Sequence, residues 1–233
     1  MMQFRRSSTR GRVDYGWLRC HHSFSFAEFH DPLWMCWGNL RAINEDRIAP
    51  GTGFDTHSHR DVEIISYVVK GRLAHRDSLG NVHDVDPGKV QRLSAGTGVR
   101  HSEFNHDYVT RTHFLQIWLE PDRRGLAPSY EIQSVDVSGK RGQLRLLAAP
   151  GGERGALTVH ADARVHAGLF DGDERARLSL ASGRKGYVHL VRGDLIVNGH
   201  HLGAGDALAI ENESLIEVWS GKDAEVLVFD LRA

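Results

Sequence analysis

Two short runs of this chain hold side chains able to grip a metal ion. His57-Ser58-His59 places two imidazoles one residue apart, and His101-Ser102-Glu103 repeats the spacing with an imidazole and a carboxylate. In an extended strand alternate residues share a face, so members of each pair stand roughly 6–7 Å apart on one side. One HxH alone is equally an exposed polar strand face, since histidine is a common surface residue. Two such pairs change that reading: brought together they offer three imidazoles and one carboxylate, a donor set for a first-row divalent ion that leaves positions for water or substrate.

The surrounding sequence must supply strands to carry these pairs. Segments such as LRAINEDRI, EIISYVVKGRLAHRDSLGNVHDV, KVQRLSAGTGVRHSEFN and THFLQIWLEP are short, rich in Val, Ile, Leu and Tyr, and punctuated by Gly, Pro, Asn and Asp. This texture, without long amphipathic stretches, predicts an all-β sandwich or barrel. Ser78-Leu79-Gly80-Asn81 reads as a hairpin turn. After THFLQIWLEP come breaker-rich stretches around Pro121–Pro128 and Ser138–Gly142, and strands resume from LRLLAA onward. The expected division is residues 1–130 for a metal-binding half and 131–233 for a second half of the same plan. Val69-Lys70-Gly71 matches Val191-Arg192-Gly193 in style, but the offsets that lead from Gly71 back to His57 and His59 lead from Gly193 to Ser179 and Ala181. The second half is therefore expected to lack ligands; His200 and His201 are adjacent and would face opposite ways.

Composition limits the functions open to the chain. Lys+Arg 29 against Asp+Glu 30 leaves a formal net charge of -1, which provides no basic field for a phosphate backbone. No run approaches the roughly 18 apolar residues of a membrane span, and the N-terminus has no signal-like apolar stretch, so a cytoplasmic, soluble protein is expected. Cys20 and Cys36 are too few for a disulfide scaffold and are read as reduced and at least partly buried. Fifteen histidines, concentrated in the first half, are the remaining bias. Aromatics between Gly16 and Trp37, among them Phe24, Phe26, Trp34 and Trp37, pack a core or wall a ligand cavity.

GTGFDTHSHRDVE resembles the first cupin motif, G-x5-H-x-H-x3-E, and GTGVRHSEFN the second, G-x-x-H-x3-N, with Gly96 where many cupins have proline. Together with HHSFSFAEFHDP and SAGTGVRHSE, the whole chain is similar to the pirin family, in particular its bacterial members with quercetin 2,3-dioxygenase activity. The resemblance implies a bicupin of two β-sandwich (jelly-roll) barrels, with one mononuclear metal in the N-terminal barrel and none in the C-terminal one. It assigns the ligands to His57, His59, His101 and Glu103. The wider cupin pattern would use Glu63 instead; even spacing puts Glu63 on the His57 face if the strand is unbroken, and Glu63 is expected to orient an imidazole from behind.

Fe(II) is the metal expected from the resemblance, and zinc, manganese, cobalt, nickel and copper also suit the donor set. The implied reaction is opening of a flavonol's heterocycle with O₂ and release of carbon monoxide, Glu103 or Glu63 accepting the substrate's proton. Phe54 and Phe104, beside the ligands in sequence, are candidate walls for a flat aromatic substrate. A monomer is expected, since both barrels lie in one chain. The alternative is a non-enzymatic metal-binding redox sensor or transcription coregulator, which the eukaryotic side of the family suggests; near-neutral charge and the lack of a DNA-binding helix signal speak against direct nucleic-acid contact.

Overall fold

In the computed structural model, which describes residues 1–233, strands and turns account for the regular structure; the helical content is two 3₁₀ turns, Ser7–Thr9 and Glu153–Gly155. The first half contains β1 (Met2–Arg5), β2 (Gly11–Asp14), β3 (Leu18–His22), β4 (Leu40–Ile48), β5 (Thr52–His59), β6 (Glu63–Lys70), β7 (Leu73–Asp77), β8 (Val82–Val85), β9 (Lys89–Ser94), β10 (Val99–Asn105), β11 (Thr112–Leu119) and β12 (Ser129–Ser134). The second contains β13 (Arg145–Pro150), β14 (Leu157–Val159), β15 (Ala163–Gly172), β16 (Ala176–Ser179), β17 (Arg184–Val197), β18 (His200–Gly203), β19 (Ala207–Glu211) and β20 (Leu215–Arg232).

Three sheets form, each open at its edges and none closed into a barrel. The central one has seven strands in the order β12-β9-β6-β11-β4-β3-β2. On one face it carries a four-stranded sheet, β5-β10-β7-β8, and on the other the nine-stranded sheet of the C-terminal half. Being covered on both sides accounts for the apolar run of β6, interrupted only at Ser66: Ile64 and Val68 pack toward the four-stranded sheet, Ile65 and Tyr67 toward the C-terminal half. A strand buried on both faces gains from apolar side chains at odd and even positions alike, each worth about 1.5–3 kcal/mol when fully covered.

The C-terminal half makes its sandwich by bending. β17 and β20, at 14 and 18 residues, pair along most of their length, with register shifts between Leu190 and Ile196. Such bulges turn the strands, so that their outer ends add β18 and β16 and close over a second core that includes Phe170, Leu190 and Val226. The two halves are interleaved. β1 joins the C-terminal sheet through β19 before the chain returns to the central sheet as β2. The expected boundary at 130/131 falls inside β12, whose whole length pairs with β9.

Candidate metal centre

β5 and β10 run antiparallel with His57 opposite His101 and His59 opposite Val99. Cross-strand partners and alternate residues thus converge on one face, and the three rings form a near-equilateral triangle: centroids are 4.8 Å apart for His57–His59, 4.5 Å for His57–His101 and 4.9 Å for His59–His101. Their nitrogens all lie within 4.8 Å of one another. His57 Nδ1 donates to the Asp55 carbonyl at 2.8 Å, which fixes the tautomer and turns Nε2 toward the other rings. Both nitrogens of His101, 1% exposed, and Nε2 of His59 are buried without a hydrogen-bond partner. Orphaned acceptors converging on one point fit a metal ion. Burial and the neighbouring imidazoles push His59 down to about 4 and His101 to about 2, which keeps both rings neutral and their lone pairs free to ligate.

Glu103 stands two residues beyond His101, past a register shift in the β5–β10 pairing. Its carboxylate lies within 4.8 Å of the ligating atoms of His101 and His75. Three donors hold it: Ser66 Oγ and Gln91 Nε2, both at 3.2 Å, and Gln116 Nε2 at 2.7 Å. Burial, aided by the charge of Asp46, pushes its pKa up to about 7. The structure therefore gathers His57, His59 and His101 in one cluster and places Glu103 with His75 and His101 in a second, the two sharing His101.

Glu63 does not join them. The strand breaks at Asp61, which takes a left-handed φ of 50°, and Glu63 opens β6 in the central sheet. Its carboxylate accepts from Ser94 Oγ at 2.8 Å and from the His160 backbone N–H at 3.2 Å, and it makes no hydrogen bond to an imidazole. The even-spacing argument fails because parity does not carry through a turn. Gly96 is required on steric grounds: φ is 46° and an added Cβ would lie 2.0 Å from the Leu126 carbonyl, so neither proline nor another side chain fits.

A cavity of about 300 Å³ opens beside the trio, at the small end of ligand sites. Phe54, Phe26, Trp118, Leu18 and Val13 supply its apolar wall, while His57, His59, Glu103, Gln116, Asn44 and Asp46 face it from the polar side. Phe54 meets Trp17 edge-on at 5.3 Å and sits 6.3 Å from His57. Phe104 is a correction to the sequence reading: as Glu103's neighbour in β10 it projects to the other face of the sheet, against His106 at 5.3 Å in a separate surface depression. Of the early aromatics, Phe26 lines the cavity, edge-on to Trp118 at 5.0 Å. Phe24 and Trp34 are core, and the Trp37 indole donates to the Gly186 carbonyl at 2.8 Å. Cys20 is buried at the cavity and Cys36 half-buried, both free.

Sequence reasoning passed over Asn44, Asp46, Gln116, Trp118 and His75. The first four share parity within LRAINEDRI and THFLQIWL, but both strands are covered on both faces, so alternation groups them without marking their face as the one that looks onto a cavity. His75 Nε2 lies 3.1 Å from Asp77 Oδ2 and the ring stacks on Tyr130 at 4.6 Å, 5.4 Å from His101.

Paired β-sandwiches in one chain, with candidate ligand clusters in the first, define the metal-binding bicupins as the class. Sequence narrows it further: the chain belongs to the pirin family. The Pirin family model matches residues 3–119, and the model for the quercetinase C-terminal cupin domain matches residues 146–231. Over 232 residues the chain is 40% identical to the quercetin 2,3-dioxygenase of Escherichia coli strain K12, covering 99% of both chains. A pirin-like protein of Caulobacter vibrioides is 40% identical over 221 residues, covering 94% of this chain and 95% of the relative. The crystal structure of bacterial pirin YhhW from Escherichia coli in complex with nickel(II) superposes with a TM-score of 0.94 at 39% identity, covering 100% of this chain and 99% of that one. No helix is long and apolar enough to cross a membrane.

Proposed function

We propose that this protein is a metal-dependent dioxygenase that opens the heterocyclic ring of flavonols such as quercetin with O₂ and releases carbon monoxide. The observation that carries the reading is the conjunction of three converging imidazoles and a buried carboxylate with an aromatic-walled cavity at their side. The name of the Escherichia coli relative supports it.

His57, His59, His101 and Glu103 would hold one divalent ion, Fe(II) in this reading, which supplies Lewis acidity toward a substrate hydroxyl and one-electron chemistry toward O₂. The remaining steps belong to the chain. Phe54, Phe26 and Trp118 receive the flat ring system and keep water from it. Glu103, a carboxylate lining the cavity beside the imidazoles, takes the hydroxyl proton in this reading. Ser66, Gln91 and Gln116 keep that carboxylate aimed. Glu63, bound to Ser94 and to the chain at His160, has no part in the step.

The test is O₂ uptake with quercetin, with carbon monoxide assayed, after reconstitution with Fe(II), Mn(II), Co(II), Ni(II), Cu(II) or Zn(II) in turn. Turnover is expected with a redox-active ion and its loss in His57→Ala and His101→Ala. Equal turnover by metal-free protein would refute the reading. Flavonol binding without O₂ consumption under any ion would favour a metal-dependent sensor.

A further inference from the structure

Asp46 lies in β4, paired with Cys20 of β3 on one side and Phe114 of β11 on the other. It is 3% exposed, faces the cavity with His57, His59 and Glu103, and its Oδ1 is buried without a hydrogen-bond partner.

The other buried polar groups around the cavity are engaged, and Glu28 and Tyr15, also on its lining, are exposed to water. Asn44 Oδ1 is 2.8 Å from His22 Nδ1; Gln116 donates to Glu103 and accepts from the Trp118 indole at 3.0 Å; Glu103 has its three donors. His59 Nε2 is orphaned too, but it points into the histidine trio. Asp46 is therefore the buried cavity-lining carboxylate left with acceptor capacity, Glu28 being exposed. An ionised carboxylate can only accept, and a buried one without donors carries a desolvation cost that a hydroxyl or N–H removes. The Cys20 thiol beside it is a weak donor whose hydrogen bond offsets only part of the cost of burial, and that sulfur also lies 3.4 Å from His22 Nδ1. Burial, with Glu45 adding to it, pushes Asp46 up to about 7, the expected behaviour of an acid awaiting a partner.

We propose that Asp46 Oδ1 accepts a hydrogen bond from a phenolic hydroxyl of the bound substrate, so that the cavity selects polyhydroxylated flavonols over analogues in which that hydroxyl is missing or methylated. This rests on the flavonol reading above. Asp46 acts as a recognition group: it fixes how the ring system lies against the trio.

The experiment is an anaerobic titration of metal-loaded protein, followed by quenching of tryptophan fluorescence, with quercetin and a series of flavonols each lacking or methylated at one hydroxyl. Wild-type protein should prefer quercetin by about 10- to 100-fold over the analogue altered at one position, the range expected for a hydrogen bond to a buried charge. Asp46→Ala should lose that preference and Asp46→Asn, whose amide oxygen still accepts but without charge, should weaken it, both keeping metal content and affinity for the altered analogue. A preference that survives in both variants, or a wild type indifferent to every hydroxyl, overturns the assignment, the latter without need of any variant. Wild-type protein that binds no flavonol brings down the functional reading and Asp46's role with it.

Discussion

Glu103 and Glu63 show how the same side chain acquires opposite duties from its neighbours. The first is braced by amides and a hydroxyl beside the imidazoles; the second ties β6 to Ser94 and to the chain at His160. Gln116→Ala removes the shortest of Glu103's contacts and should weaken metal binding about 10- to 100-fold in a chelator competition, as loss of such outer partners commonly does. Glu63→Ala should leave that affinity unchanged and cost about 1–3 kcal/mol in denaturant unfolding, because it strands a buried hydroxyl and a backbone donor. The contrast marks what sequence could deliver. The histidine cluster of His57, His59 and His101 is legible because ligand-type residues at alternate positions of two strands share a face; that Glu103 falls in a second group with His75 and His101 is not, because His75 stands on another strand. Glu63 was misplaced because alternation was carried across the turn at Asp61. Asp46 and Gln116 escaped notice because β4 and β11 are covered on both faces, and alternation cannot say which face looks onto a cavity.

The strands hold these residues through close approach of backbones. Gly53 in β5 lies against β10: an added Cβ would sit 2.3 Å from the Glu103 carbonyl oxygen and 2.6 Å from Phe104 Cα. These are backbone atoms and cannot swing aside. Gly53→Ala should therefore push β5 from β10, part His57 from His101 and lower both stability, by about 1–3 kcal/mol, and metal affinity. Measuring the two together is decisive: a stability loss at full metal affinity would show that the strands adjust without opening the trio. The existence and type of the elements were readable from short β-branched runs between breakers. The bending of β17 and β20 was not, because their bulges depend on pairing between distant segments.

At the scale of the molecule, the halves are joined by buried charge as well as apolar surface. Glu45 accepts from Arg10 at 2.6 Å and from His113 at 3.0 Å, facing the fully buried His189 of the C-terminal half. Glu225 of β20 pairs with Lys140 at 3.2 Å and Arg192 at 2.9 Å and receives the Tyr67 hydroxyl. Burial alone would raise Glu45, but hydrogen bonds from His113 and Arg10 hold it well below the carboxylate range; Lys140, Tyr67 and Arg192 lower Glu225 against the same effect of burial. Their folded pKa values lie below the unfolded ones, so their stabilisation is complete above the unfolded value of about 4.3 and is lost as pH falls below it. His189 is pushed by burial down to about 3, and His59 and His101 are lowered likewise, so the unfolded chain takes up their protons first and stability declines from about pH 6.5 downward; Asp46 and Glu103, raised to about 7, act in the opposite sense and keep that decline shallow. Urea midpoints measured from pH 8 to pH 3 should therefore fall in two stages, a shallow one below about 6.5 and a steep one below about 4.3. Glu45→Gln should flatten the second stage and leave the first in place; an unchanged acid limb would exclude Glu45 as its source.

The excursion of β1 into the far sheet sets the order of events in synthesis. Residues 2–5 leave the ribosome before any of their neighbours in space exist, and β19, against which they lie, is made near the end of the chain. The metal-binding half can acquire its own sheets while this segment hangs free, but the early strand finds its seat only when the last strands arrive. Until then the edge of β1 is open to the wrong chain as readily as to the right one. Maturation is thereby a closing act, in which an early strand waits for a late one.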